Sequence, residues 1–281
     1  MINFANRSEY IFSCRKFAQF EESAIKIKSL QVFFAGKMIQ GVLKIFAGDK
    51  MIKGVIFDID GTIYSYIENH KRALKTLCEF TEKNLGVSEE KFLQVYCEAR
   101  EIIKSRLSDG GALHSRVLFF QTALELLGKN PFCHILEMYQ IYWNSFLAEM
   151  KPFDDVTEFI CKLKSAGKKI AVCTDMTAHI QYRKIEQLGL NNFIDFMVSS
   201  EETGHEKPSL QMFNLALKKM NLPADEVVYF GDAPDRDIAG AANAGIKPFW
   251  FLGEHEETDI KVDCVKFKSY SEILDSKIFF D

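Results

Sequence analysis

Residues 55–64 read VIFDIDGTIY, an apolar run that ends on two aspartates, Asp58 and Asp60, and then turns through Gly61 and Thr62. The run has the β-branched and aromatic residues that are typical of a buried strand. A carboxylate that enters an apolar interior without a partner loses its hydration at a large cost in free energy. Two carboxylates at one strand end therefore indicate a site with a cation, a shared proton or open solvent.

The rest of the chain after Met51 alternates short apolar runs with longer helical stretches. This alternation is typical of βαβ units in a parallel sheet. We predict strands at 54–58, 169–174, 195–199, 227–231 and 248–251, and helices near 154–166, 178–188, 209–220 and 236–244. The predicted fold class is α/β, with a Rossmann-like parallel sheet as its core.

Residues 67–151 interrupt the alternation with four successive amphipathic helical patterns. An apolar side chain recurs every three or four positions from Phe92 to Leu107, and again from Ile135 to Met150. Such stripes are typical of helix packing and not of a cofactor site. We predict a helical cap domain, inserted into a core made of residues 51–66 and 152–281.

The first 50 residues differ from the rest in charge, with a net of +4 in a chain whose total is −4. The recognisable domain begins at Met51. Residues 1–50 are interpreted either as an N-terminal extension of the protein or as translated sequence upstream of a natural start at Met51. Sequencing the N-terminus of the native protein distinguishes the two interpretations.

Composition and charge exclude several classes of function. The acidic balance, with a pI of about 5.9, lacks the basic footprint of a protein that binds DNA or RNA. No run of apolar residues is long enough for a membrane span. Seven cysteines are scattered without a CxxC pair, which predicts reduced thiols and a cytoplasmic location.

Polar residues end four of the predicted strands. They are Asp58 after the first, Thr174 and Asp175 after the second, Ser199 and Ser200 after the third, and Asp232 after the fourth. Ligands bind at the carboxyl ends of the strands in an open parallel sheet. We therefore expect these side chains to line one crevice.

Four short motifs follow one another in the chain. They are DIDGT at 58–62, CTD at 173–175, GHEKPSLQMF at 204–213 and GDAPDRDIAGA at 231–241. In this order the chain resembles the haloacid dehalogenase superfamily over about residues 51–251, in the branch with a helical cap between the first two motifs. It is loosely similar to the nucleotidase-like, N-acylneuraminate-9-phosphatase-like and phosphoglycolate phosphatase-like members.

The resemblance implies phosphoryl transfer, and the residue types suit that chemistry. Such transfer needs an in-line nucleophile, a proton donor for the leaving oxygen and cations for the equatorial oxygens. Asp58 is expected to be the nucleophile that forms an aspartyl-phosphate, and Asp60 the general acid and base. Dehalogenases lack a carboxylate at the position of Asp60, because a halide leaves without a proton, so a phosphate ester is the expected substrate.

The same resemblance implies a phosphate site and a magnesium site. Thr174, Asp175 and Lys207 are expected to contact the phosphate. Mg²⁺ is expected to bind the side chains of Asp58 and Asp232 and the backbone carbonyl of Asp60. The supporting residues around these groups are expected to be Thr62 and Asp237, the latter orienting Lys207 or a metal-bound water.

Arg236 departs from the family pattern, because relatives often have asparagine at this position. It is interpreted either as a solvent-facing residue at the start of a helix or as a second cation beside Asp232 and Asp237.

Substrate specificity is expected to come from the cap, where SDGGALHSRVLFF at 108–120 contains His114 and Arg116. Arg116 could bind a carboxylate or second phosphate of the substrate, or form a surface pair between helices. His70, His179 and Arg183 are further candidates. The alternative for His179 and Arg183, together with Glu186, is a solvated helix face.

The sequence thus predicts a Mg²⁺-dependent phosphatase that acts on a small phosphorylated metabolite. Two alternatives remain: a phosphotransferase or mutase with the same nucleophile, and a binding protein without catalytic activity.

Overall fold

A computed structural model describes residues 51–253 and 258–280 of the chain. In this part, six parallel strands form one sheet in the order β3-β2-β1-β4-β5-β6. The strands are β1 (Gly54–Phe57), β2 (Lys169–Thr174), β3 (Phe196–Ser199), β4 (Val227–Gly231), β5 (Lys247–Phe251) and β6 (Val265–Phe267). The predicted α/β class is confirmed. The two interpretations of residues 1–50 lie outside the described residues.

Five strands agree with the sequence prediction to within one residue at either end, and β6 was missed. That strand has only three residues, with Lys266 in the middle, so no periodicity could mark it. It pairs in parallel with β5 through Phe249, Trp250 and Phe251 at the edge of the sheet.

Helices cover both faces of the sheet, which is why its strands are nearly continuous apolar runs. On one face, the rings of Phe57 and Phe230 stack 5.0 Å apart, and Phe159 packs edge-on against both. On the other face, Ile56 and Tyr229 belong to a buried cluster with Met212, Phe213 and Ala216 among its members. Neighbouring residues of one strand thus contribute to opposite cores.

Five α-helices lie between β1 and β2, and the first four of them lie where the sequence predicted a helical insertion. These four are α1 (Tyr66–Leu85), α2 (Glu89–Arg106), α3 (Arg116–Leu126) and α4 (Ile135–Ala148), with short 3₁₀ turns at Gly111–His114 and Pro131–Cys133. We call residues 66–148 the cap. Its interior is aromatic, with Tyr142, Trp143 and Phe146 buried together. That the cap is a separate domain stays a prediction.

The remaining helices belong to the core around the sheet. They are α5 (Val156–Ser165), α6 (Ala178–Gln187), α7 (Ser200–Thr203), α8 (Leu210–Met220), α9 (Ala239–Asn243) and α10 (Lys277–Phe280). Short 3₁₀ turns occur at Ala224–Glu226 and Tyr270–Glu272, and a π-helical turn at Pro234–Ile238. The helix predicted near 236–244 is therefore a π turn followed by a short α-helix. No described helix is both long and apolar enough to cross a membrane, and the six described cysteines are unpaired.

The cap loop contacts the core through the glycines of residues 108–114. A Cβ atom on Gly111 would lie 2.9 Å from the backbone nitrogen of Glu201, closer than side chains normally approach. Asp109 accepts a hydrogen bond of 2.7 Å from the Glu206 backbone N–H, and one of its carboxylate oxygens lies 2.8 Å from His205 Nδ1. These contacts hold the loop against the core segment that carries Lys207.

The order of the strands reverses between β1 and β4. In α/β sheets, the carboxyl ends of strands on either side of such a switch point open into a crevice. Asp58 directly follows β1, and Asp232 directly follows β4. The topology therefore brings together two residues that are 174 positions apart in the sequence.

Candidate active site

Asp58 lies at the bottom of this crevice and is almost fully buried. Its backbone N–H donates to the Phe230 carbonyl at 2.8 Å, which fixes the end of β1 beside β4. One carboxylate oxygen accepts a hydrogen bond of 2.5 Å from the Lys207 ammonium. Burial raises the pKa of Asp58 well above its ordinary value, although the charge of Lys207 lowers it in part.

Lys207 bridges Asp58 and Asp237, because its ammonium also donates to Asp237 at 2.7 Å. Burial lowers the pKa of Lys207, but the charges of Asp237 and Asp58 raise it by more, so this side chain is a cation. Asp237 in turn accepts hydrogen bonds from the Tyr229 hydroxyl at 2.9 Å and the Ala233 N–H at 3.0 Å. Asp237 thus contacts Lys207 directly, and its role in orienting that lysine or a metal-bound water stays a prediction.

Asp58, Asp232 and Asp237 form an acidic cluster in which one oxygen from each residue lies within 4.8 Å of the others. Lys207 contributes one positive charge against these three carboxylates. The cluster therefore retains excess negative charge, and its donors are the hard oxygens that Mg²⁺ and Ca²⁺ prefer. Because Asp237 is engaged by Lys207, Tyr229 and Ala233, the side chains of Asp58 and Asp232 are the better pair to hold a metal ion.

The turn after β1 shapes this cluster. The Thr62 hydroxyl donates to Asp232 at 3.2 Å, consistent with its predicted supporting position. Gly61 has a φ of 88°, and a Cβ atom there would lie 2.4 Å from Asp232 Oδ2. Only glycine combines this backbone conformation with so close an approach.

Asp60 lies on the other side of the crevice in a second charge pair. Its two carboxylate oxygens accept hydrogen bonds of 2.6 and 2.8 Å from the ammonium of Lys184, which is fully buried. The Tyr64 hydroxyl also donates to Asp60. Burial raises the pKa of Asp60, but the charge and hydrogen bonds of Lys184 lower it by more, so Asp60 is an ionised carboxylate.

Lys184 and Gln181 were both missed by the sequence analysis. They lie on α6 beside the buried Ile180 and Ile185, on the face that packs inward. Charged side chains are rarely buried without a partner, so a lysine in this apolar stripe was the signal that could have found the pair. The exposed His179 and Glu186 lie on the solvated side, where the sequence placed them.

Gln181 connects Asp60 to the second motif. Its side-chain amide donates to the Thr174 hydroxyl at 2.6 Å, the Asp175 carbonyl at 3.0 Å and Asp60 at 3.3 Å. Thr174 and Asp175 are both buried at the end of β2. Asp175 accepts a hydrogen bond of 2.9 Å from the Lys207 backbone N–H, so it orients the loop that carries that lysine.

Lys184 also links the core to the cap. Its ammonium lies 5.5–5.9 Å from the ring centroids of four aromatic residues, Tyr64, Tyr66, Trp143 and Phe146. Cation–π attraction is strongest where water is excluded, as it is around this side chain. The ionisation of Asp60 is therefore tied to the packing of α4 against the core.

Arg236 matches neither sequence interpretation completely. Its side chain is half exposed, and its guanidinium lies 3.5 Å from Asp175. Burial lowers the pKa of Arg236, but the charges of Asp237 and Asp175 raise it by more. It is a solvent-accessible cation at the rim of the crevice.

A cavity of about 340 Å³ opens above these groups. The core lines it with residues of all four motifs: Asp58, Asp60, Thr174, Asp175, Lys207 and Asp232. The cap contributes Tyr66, Arg100, Lys104 and His114. Every catalytic, phosphate-binding and metal-binding residue expected from the sequence is therefore in one place, and Thr62 and Asp237 lie directly behind it. Their chemical roles stay predictions.

Of the two predicted cap residues, His114 reaches the cavity, and its Nε2 lies 2.8 Å from Glu206. Arg116 is not on the surface, so the interpretation as a surface pair was wrong. It is not among the residues that line the cavity, and its role in substrate specificity stays a prediction. It is buried, donates to the Tyr66 hydroxyl and the His114 carbonyl, and lies 5.2 Å from the Tyr142 ring centroid. Its planar guanidinium stacks among the rings of the cap interior.

His70 is likewise a packing residue of the cap. Its Nδ1 lies 2.6 Å from the Tyr142 hydroxyl, and its ring stacks on Tyr66. Burial lowers the pKa of His70 to about 3, so the imidazole is neutral near pH 7.

The Asp60–Lys184 pair makes a testable contribution to stability. We expect Lys184→Met to lower the free energy of unfolding by about 3–5 kcal/mol, because it leaves a buried carboxylate without its counter-charge. Adding Asp60→Asn should restore part of this loss. Urea unfolding of both single variants and the double variant measures the coupling.

Lys164→Met is the matched control, because Lys164 pairs with Asp195 where both side chains are about one-third exposed. It should cost about 0–1 kcal/mol. Equal losses for Lys184→Met and Lys164→Met, or additive effects in the double variant, would contradict the buried pair.

Comparison with known proteins identifies relatives along most of the chain. Residues 52–245 match the family model described as haloacid dehalogenase-like hydrolase. The ribulose-1,5-bisphosphate 5-phosphatase of Halopiger xanaduensis is 36% identical over 207 residues, which are 73% of this chain and 86% of that protein. The glyceraldehyde 3-phosphate phosphatase of Methanocaldococcus jannaschii is 32% identical over 69% of this chain and 82% of its own length.

The fold is also found in solved structures. A 2-haloacid dehalogenase from Pseudomonas syringae superposes with a TM-score of 0.65 at 23% identity, covering 79% of this chain and 96% of that one. At this identity the similarity concerns the fold alone. The two phosphatases and the family model also match this chain in sequence. The chain therefore belongs to the haloacid dehalogenase-like hydrolases.

Proposed function

We propose that this hydrolase is a Mg²⁺-dependent phosphatase that removes a phosphate from a small phosphorylated sugar through an aspartyl-phosphate on Asp58. One observation carries the proposal: Asp58 is buried at the end of the central strand, 2.5 Å from Lys207 and within one acidic cluster with Asp232. A carboxylate with a fixed cation on one side and a metal site on the other suits attack on a phosphate.

In the first step, a carboxylate oxygen of Asp58 attacks phosphorus, and the bond from phosphorus to the sugar oxygen breaks. The ammonium of Lys207 stays beside the nucleophile and the phosphoryl oxygens, and the Thr174 hydroxyl is positioned by Gln181 to donate to one of them. Fixed donors of this kind stabilise the charge that spreads over the equatorial oxygens.

Asp60 is the proposed general acid and general base. It is ionised in this structure, and a phosphate dianion entering the cavity beside it raises its pKa, because like charges disfavour ionisation. The protonated form can then donate to the leaving sugar oxygen. Once the alcohol has left, ionised Asp60 removes a proton from the water that hydrolyses the aspartyl-phosphate.

Asp58 and Asp232 would hold Mg²⁺ by their side chains, with the Asp60 carbonyl as the third protein ligand implied by the family resemblance. The ion would offset the negative charge of the carboxylates and the transferring phosphate. Burial raises the pKa of Asp58, and so do the charges of Asp237 and Asp232, so the cation and Lys207 together would keep it ionised for attack.

The substrate class follows from the relatives and the cavity. The two phosphatases similar to this chain are named for ribulose 1,5-bisphosphate and glyceraldehyde 3-phosphate. A cavity of about 340 Å³ lies near the lower end of the range for small-molecule sites. A phosphorylated sugar of three to five carbons is therefore the proposed substrate.

The central test is phosphate release with Mg²⁺ from sugar phosphates and from p-nitrophenyl phosphate. We expect Asp58→Asn to lower kcat by at least about 1000-fold, since the nucleophile is lost, and EDTA to remove the activity of the wild type. Asp225→Asn is the control, because Asp225 is exposed before β4, at the amino end of that strand. Full activity of Asp58→Asn would overturn the proposal, and phosphoryl transfer to a second sugar would indicate a mutase.

The pH dependence tests the role of Asp60. With p-nitrophenyl phosphate the leaving group needs no proton, so the acid limb of the kcat profile reports the base that activates water. Lys184→Met removes the charge that lowers the pKa of Asp60, and we expect that limb to move to higher pH. Lys218→Met, an exposed lysine on α8, is the control. An unmoved limb in an active, folded Lys184→Met enzyme would exclude Asp60 as that base.

A further inference from the structure

The cavity that contains the acidic cluster also has a basic side, which the proposed mechanism does not use. Two of its lining residues, Arg100 and Lys104, come from α2 of the cap. They are four positions apart, so they lie one above the other on the same face of that helix. Two cations therefore face the same small cavity as the nucleophile.

The fold does not neutralise these two cations. Among residues 51–253 and 258–280, no carboxylate forms an ion pair with Arg100, whose guanidinium lies 5.9 Å from the ring centroid of Tyr96. Lys104 has only a distant contact of 3.9 Å with Glu101 on the solvent side. By contrast, the Nε2 of His114 in the same cavity lies 2.8 Å from a carboxylate oxygen of Glu206.

Holding Arg100 and Lys104 together has a cost without a ligand. Like charges at this spacing on a helix repel each other and destabilise it. Neither side chain is needed to bury the cap interior, because Lys104 is exposed and Arg100 is half-buried. An anion bound in the cavity would explain why Arg100 and Lys104 both line it.

We propose that Arg100 and Lys104 form a second anion site, which binds the phosphate that is not hydrolysed in a bisphosphorylated sugar. A guanidinium can bind a phosphate through two parallel hydrogen bonds, and the nearby ammonium adds a point charge. Two cations match a phosphate dianion better than a carboxylate, which carries one charge. The sequence offered Arg116 for this role, with a surface pair as the alternative, but Arg116 is buried in the cap interior.

With this second anion site, the two sides of the cavity bind different phosphates of the substrate. The reacting phosphate lies on the core side, where Asp58, Lys207 and Thr174 meet, and the second phosphate lies against α2. A substrate with phosphates at both ends would contact core and cap at once, so the cap would select it over a monophosphate. This inference rests on the proposed function, because it assumes that one phosphate reacts at Asp58.

The test compares kcat/KM for three substrates in the wild type and in Arg100→Gln and Lys104→Gln. They are ribulose 1,5-bisphosphate, p-nitrophenyl phosphate, which has no second anion, and phosphoglycolate, whose second anion is a carboxylate. We expect each variant to lose about ten- to 100-fold on the bisphosphate and to stay within about twofold on p-nitrophenyl phosphate. Lys91→Gln, which removes an exposed lysine from the first turn of α2 outside the cavity, should leave all three unchanged.

Three outcomes would overturn the second anion site: equal losses on all substrates, no loss on the bisphosphate, or a larger loss on phosphoglycolate than on the bisphosphate. Equilibrium binding of ribulose 1,5-bisphosphate to Asp58→Asn, with and without Arg100→Gln, gives an independent reading that needs no turnover. Weaker binding in the double variant supports the site, even if the wild type hydrolyses none of the esters and the proposed function fails.

Discussion

The Lys207 ammonium between Asp58 and Asp237 is the interaction on which the rest of the site depends. Removing one member would leave a charge buried without its partner, which is among the most costly defects a protein can carry. Three separate parts of the chain must meet to prevent this: the end of β1, the loop before α8 and the turn after β4. The parallel sheet brings them together because its order reverses between β1 and β4.

A second lysine, Lys184, shifts the pKa of the neighbouring Asp60 in the opposite direction from that of Asp58. Asp58 has a raised pKa because burial outweighs Lys207, whereas Asp60 has a lowered pKa because Lys184 outweighs burial. These directions are opposite to the ionisation states that the proposed roles need, so a cation beside Asp58 and a phosphate dianion beside Asp60 would have to shift both pKa values before reaction. Lys184 also touches rings from the cap, so the state of Asp60 depends on how the cap packs.

Local sequence patterns were sufficient for β1 to β5 and for the residues at their ends, but not for the short strand β6. Asp58, Thr174 and Asp232 could be found because parallel strands align their carboxyl ends, whatever the packing around them. Lys184 could not be assigned in this way, since its role depends on which face of α6 meets the crevice. The surface-pair interpretation of Arg116 was wrong for the same reason: an arginine beside a glycine loop indicates a surface, but aromatic rings from α1, α3 and α4 enclose it.

The most direct test of the account is the covalent state of Asp58 during turnover. Mixing the enzyme with Mg²⁺ and substrate, quenching in acid within milliseconds and mapping peptides by mass spectrometry would detect a phosphoryl group on that residue. Asp60→Asn should slow the hydrolysis of the intermediate and increase its amount. The account predicts phosphorylation of Asp58 and of no other residue. Turnover of the wild type with an unmodified Asp58 peptide in both proteins would contradict it.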